Sequence, residues 1–134
     1  TADEVDARLK SIRAALRETP AAEKQLSAAA DAIEQTNRGI LRVLRGDREL
    51  QKLQEPVPSS INDRVEIILE GERFALTKPT QTHIDDYNIA AGEFAGELAK
   101  LRTLVEVDLA KLEKNMAAAG APWTPGQVPE WSEK

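Results

Sequence analysis

The sequence contains no cysteine, which removes both a disulfide framework and thiolate chemistry. A single histidine, His83, cannot supply the two Glu-x-x-His motifs of a di-iron bundle, and no cofactor or metal is expected. Aromatic residues make up 4% of the chain, so any core has to be built from aliphatic side chains. Apolar runs are short, and none approaches the ~20 residues needed to span a bilayer. Cationic excess is absent too. The formal net charge is −5, which argues against nucleic acid as a partner, because phosphate binding needs a basic surface. There is no Gly-x-Ser-x-Gly elbow and no glycine-rich phosphate loop. No leader-like segment stands at Thr1, and the chain opens inside helical sequence without a methionine.

What is present is material for helices. The 134 residues are one domain's length, with 41% hydrophobic and 31% charged residues. Alanine and leucine carry most of the apolar content, and with Glu, Lys, Arg and Gln they head the helix scale. The expected fold class is all-α: an antiparallel bundle of three to four helices within residues 1–119, followed by an extended Pro/Trp tail over residues 120–134.

Hydrophobic spacing places the helices. Val5, Leu9, Ile12 and Leu16 form one stripe on a helix over about 3–18. Thr19-Pro20 ends it and opens the next, with proline at a first-turn position where a missing N–H costs nothing. Leu26, Ile33 and Ile40 recur at seven through a helix over 20–45, with Ala30, Asn37 and Leu44 between them. Gly46 is placed to stop this helix in the left-handed conformation. The short link between the two helices predicts an antiparallel hairpin. "DRELQKLQ" suits a short helix, and Pro56 and Pro58 break the chain after it. Ser60 followed by Asp63 reads as a variant capping box opening a helix over 61–73, with Ile61, Val65, Ile68 and Leu69 as its apolar face. Its end is open between Gly71 and Phe74. The longest helix is expected over 81–119, closed by Gly120. Its apolar row runs Ile84, Tyr87, Ala91, Phe94, Leu98, Leu101, Val105, Leu109, Leu112, Met116. Steps of three and four make it a coiled-coil-like seam, and two consecutive fours from Leu101 to Leu109 form a stutter.

Candidate chemistry is thin. Arg45-Gly46-Asp47 matches the tripeptide read by adhesion receptors, but Gly46 already serves as a helix stop. Arg38, Arg42 and Arg45 form a basic stripe whose position near a helix C-terminus offsets the macrodipole. His83, Asp86 and Tyr87 share a face without further converging ligands. Glu93 and Glu97 lie one turn apart on one helix, whereas carboxylate pairs in glycosidases flank a cleft. With Lys100 and Arg102 nearby they are expected to form a solvated face. No catalytic, cofactor-binding or metal residue is assigned.

The tail is the unusual segment. Both tryptophans, Trp123 and Trp131, stand in "AAAGAPWTPGQVPEW", residues 117–131. Burying an indole contributes on the order of 2–3 kcal/mol, so the tail reads as a strap planted on an apolar surface. Trp123, close to the helix end, is expected to pack within the chain, and Trp131 to meet a partner or solvent. Both are candidate interface residues.

"EPVPSSINDRV" (55–65), "PTQTHIDDYNIAAGEF" (79–94) and "LEKNMAAAGAPWTPGQVPEW" (112–131) resemble the C-terminal helical region of bacterial sortilin-like β-propeller proteins with BNR/Asp-box repeats, often labelled glycosyl hydrolases. The resemblance implies a secreted or periplasmic parent whose propeller, marked by Ser-x-Asp-x-Gly-x-x-Trp repeats, lies upstream. No such repeat occurs in these residues, so whatever the propeller binds or cleaves is not carried here. The expected function is a non-enzymatic accessory domain that packs against or helps assemble the propeller of its own parent. The alternatives are a free-standing homo-oligomer paired through the long helix, or part of a glycoside hydrolase whose active site lies elsewhere.

Overall fold

Val5, Leu9, Ile12 and Leu16 are almost completely buried, as their spacing requires, along helix α1 (Ala2–Arg17) of the computed structural model. The structure describes residues 1–53, 55–74 and 78–126, and none of these is in a strand. After α1 come α2 (Pro20–Arg45), the short α3 (Arg48–Lys52), α4 (Ile61–Phe74) and α5 (Gln81–Thr103). A π-helical segment (Leu104–Leu109) then leads directly into α6 (Ala110–Ala118), so that α5, the π segment and α6 form one long helical run. The protein is therefore an all-α helical bundle with one long C-terminal helix. α4 does not stop at Gly71 but continues through Phe74.

The chain divides into two compact units, Thr1–Asn37 with the residues from Arg102 onward, and Arg38–Leu101. α2 belongs to the first unit up to Asn37 and to the second from Arg38; α5 changes unit between Leu101 and Arg102.

In the first unit α1 and α2 form the expected antiparallel hairpin. Arg13 of α1 bonds Asp31 at 2.6 Å and also Glu34, while Asn37 reaches back to Ala2 at the start of α1. The Arg13 guanidinium is pushed above its ordinary range, chiefly by the hydrogen bond to Asp31 and then by that to Glu34. A raised cation contributes stability below its unfolded pKa, so this contribution is not lost at any ordinary alkaline pH. Solvent screens the half-open cluster and keeps it below ~1 kcal/mol.

The core of this unit joins the α1 stripe to Ala22, Ala30 and Ile33 of α2 and to Leu104, Leu109, Leu112 and Met116. Each fully buried Leu, Ile or Met contributes about 1.5–3 kcal/mol. Asn37 lies among them, 0% exposed. Its amide nitrogen donates to the Ala2 carbonyl at 2.9 Å and to Asp6 Oδ1 at 2.7 Å. Both partners are acceptors, which fixes the orientation of the amide.

The π segment corrects the expected row of the long helix. In an α-helix five residues sweep roughly 500°, which would turn Leu109 about 140° away from Leu104. The i→i+5 turn spends one additional residue per turn, and both leucines reach the core, while Val105 is only half-buried. The irregular Leu101–Leu109 spacing thus marks a real irregularity, realised as a π turn rather than as a relaxed supercoil.

In the second unit Gly46 adopts φ 84° and ends α2, as expected. Ser60 and Asp63 form the reciprocal cap of α4: Asp63 N–H donates to Ser60 Oγ at 3.1 Å, and Ser60 N–H to Asp63 Oδ2 at 2.8 Å. Ser60→Ala is expected to lower stability by about 1 kcal/mol, read from the urea unfolding midpoint. α4 and α5 are joined by Arg64 to Asp86 at 2.9 Å, with Glu93 at 3.9 Å. They also approach closely at Gly71, where a Cβ would lie 2.4 Å from His83 Cε1. Gly71 is thus a point of close approach inside α4 and not a helix stop.

Ile40 of α2 is buried as its spacing predicts, but on α4 and α5 burial differs from the apolar spacing. Of the expected α4 face Ile61 is buried and Ile68 half-buried, but Val65 and Leu69 are exposed. On α5 the buried positions are Ala90 and Glu97, whereas Ile84, Tyr87, Phe94 and Leu98 are exposed. The row expected to form the core seam therefore faces solvent from Ile84 to Leu98, is half-buried at Leu101 and Val105, and enters the core at Leu109, Leu112 and Met116.

Candidate interaction surfaces

The tail begins with a well-formed helix stop. Gly120 N–H donates to the Ala117 carbonyl at 3.1 Å and Ala121 N–H to the Met116 carbonyl at 3.0 Å. This is the Schellman pattern, with Gly120 at φ 73° where a side chain would be strained. Met116 is buried and Ala121 half-buried, the apolar pair that accompanies the motif. The chain then turns back along α1. Thr124 is buried, and a Cβ at Gly126 would sit 3.0 Å from Arg8 Nε. Arg8 is itself held by Glu113 of α6, through Nε at 3.1 Å and Nη2 at 2.5 Å. The tail is thus a strap over α1, but not through the residue expected to anchor it. Trp123 is 57% exposed, and the neighbouring Thr124 takes the buried place. The short Thr124 side chain fits beneath the strap, and the indole is left pointing outward. Trp131 lies outside the described residues.

The remaining candidates resolve into structural roles. In Arg45-Gly46-Asp47 the aspartate caps α3, accepting from Glu49 N–H at 3.1 Å and Leu50 N–H at 3.2 Å, and pairs with Arg42 at 2.8 Å. Its carboxylate is committed inside the fold. Within the basic stripe, Arg42 therefore serves the same corner. His83 is half-buried against Gly71, and no group of three or more ligating side chains occurs among the described residues. Glu93 and Glu97 do not share a solvated face. Glu97 is buried and bonded to Lys100 Nζ at 2.7 Å, while Glu93 is exposed and leans toward Arg64. The two carboxylates thus differ in burial and in partner, and do not act as a pair.

Two of the exposed apolar surfaces among the described residues are candidates for binding. One is the outward Trp123. The other is the α5 row, where Tyr87 is 63% exposed and Phe94 48%. Gly92 and Gly96 beside this row would meet nothing within 4 Å if a Cβ were added, so this stretch of helix surface is open. The apolar spacing of the row was plain in the sequence. Its exposure was not, because the buried edge is made of small and charged residues that carry no hydrophobic signal.

The fold and these surfaces define a helical module that presents apolar side chains to solvent. No helix among them is long and apolar enough to cross a membrane. Comparison with protein-family models, curated proteins and solved structures finds no match to the chain.

Proposed function

We propose that this chain is a non-enzymatic accessory module that docks onto a protein partner through its C-terminal tail, the partner being the β-propeller of its own parent protein in an extracytoplasmic compartment. The carrying observation is the position of Trp123. The Gly120 stop, buried Thr124 and the approach of Gly126 to Arg8 fix the tail on both sides of the indole, yet more than half of it stays in water. An exposed indole on a fixed backbone costs little conformational entropy to engage, which is the property of an interface anchor. The nature of the partner and the compartment rest on the resemblance of residues 55–65, 79–94 and 112–131 to the sortilin-like propeller proteins.

The test is calorimetric titration of this chain with the separately produced propeller. Saturable binding is expected, and Trp123→Ala should weaken it by about 2 kcal/mol, ~30-fold in Kd. The substitution lies at an exposed site, so the far-ultraviolet dichroism should be unchanged. Absence of binding, or equal binding by Trp123→Ala, would refute docking through the tail.

A further inference from the structure

The exposed row of α5 points to a second binding surface, and we infer that its occupant is a second copy of this chain, paired antiparallel about a two-fold axis passing between Gly92 and Glu93. The inference is independent of the tail, which belongs to the other unit.

The argument starts from the order of residues along the row. Reversing one copy about that axis sets Ile84 against Leu101, Tyr87 against Leu98, and Ala91 against Phe94. Every layer then joins unequal or medium side chains, and Phe94 fills the space left by the facing Ala91. A parallel pair would instead stack Phe94 on Phe94 and leave Ala91 facing Ala91, a crowded layer beside a void. Steps of three and four along the row are those of a two-helix seam. The reversed copy also brings Asp85 level with Lys100, opposite in sign, at both ends of the seam. A parallel pair would set like charges level at each end. Reversal also sets the positive end of each helix dipole beside the negative end of its partner's.

The available area limits the strength. Ile84, Tyr87, Phe94 and Leu98 each have roughly half their surface open. Closing the row would remove on the order of 400–500 Å² from each copy before the alanines are counted, against ~800 Å² per partner in a standard interface. The dimer is accordingly expected in the micromolar range and should be visible only by concentration-dependent methods.

Sedimentation equilibrium over a roughly thousandfold concentration range should show the mass rising from one chain to two. Phe94→Glu and Leu98→Glu, both at exposed positions, should each retain helical dichroism and weaken the dimer at least tenfold. A wild-type chain that stays monomeric throughout, or a dimer unaffected by both substitutions, would overturn self-pairing while leaving the tail-docking proposal to its own titration. The register has a separate readout that the absence of native cysteine makes clean. Chains carrying Ile84→Cys and chains carrying Leu101→Cys should form a disulfide when mixed and oxidised, and neither should link to itself. Self-linking of either one would refute the antiparallel register.

Discussion

Asn37→Asp is expected to destabilise the first unit by about 3–5 kcal/mol at neutral pH. The change is nearly isosteric, so packing is preserved and the effect is electrostatic. Asn37 is fully buried and donates to the Ala2 carbonyl and to Asp6 Oδ1. An ionised aspartate has no proton for either acceptor and places a second negative charge against Asp6. Burial and that neighbour both favour the protonated acid, so the folded pKa of the introduced carboxyl lies above its unfolded value of ~3.9. The folded state then binds the proton more tightly than the unfolded state, and the penalty grows as pH rises from about 4 through the folded pKa. Urea unfolding of wild type and variant at a series of pH values should show the two curves converging on acidification. A pH-independent difference would show that the loss comes from packing and not from charge. Asn37→Ala should cost less, about 1–3 kcal/mol, because it removes the donors without adding a charge.

The second large effect concerns length rather than side-chain chemistry. Deleting Val107, which is exposed, should leave stability within ~1 kcal/mol of wild type. The deletion brings Leu104 and Leu109 four residues apart, so a regular α-helix can keep both in the core where the π segment now does. Deleting Lys114 from α6 has no such compensation. It rotates Met116 by about 100° out of the core and carries the Gly120 stop with it. A loss of ~3 kcal/mol or more is expected. Urea midpoints of the two deletions, compared side by side, test whether the π segment is a one-residue insertion absorbed locally. Equal damage from both would show that it is not.

These contrasts indicate what could be read from the residues and what could not. The helices over 2–17, 20–45 and 61–74, and the helical run over 81–118, fall within one or two residues of their expected limits, because they are bounded by local chemistry: Pro20, Gly46, the Ser60–Asp63 cap and Gly120. Such signals act over a single turn and need no tertiary context. The α1 stripe was equally legible, since it is the helix's only apolar face. α5 has two candidate edges. Periodicity selects the row with large side chains, Ile84 to Leu98, but packing covers the edge carrying Ala90 and Glu97, held by the Arg64–Asp86 pair and by Gly71 against His83. A close approach between helices favours small residues, which leave little trace in a hydrophobic pattern. The π turn was visible as a broken spacing but not as a π turn, because the same steps describe a stutter. The tail was misassigned at one residue for a related reason. Burial was expected of the largest side chain, and the strap instead seats Thr124 beneath itself and turns Trp123 outward.

The division of the first unit between the two ends of the chain has a consequence for synthesis. Val5, Leu9, Ile12 and Leu16 leave the ribosome ahead of Leu104, Leu109, Leu112 and Met116, which complete their core and follow only after all of Arg38–Leu101 has been made. At ~5–20 residues per second that is a delay of several seconds. During this interval the nascent α1–α2 hairpin has its apolar stripe open and Arg8 without its Glu113 partner.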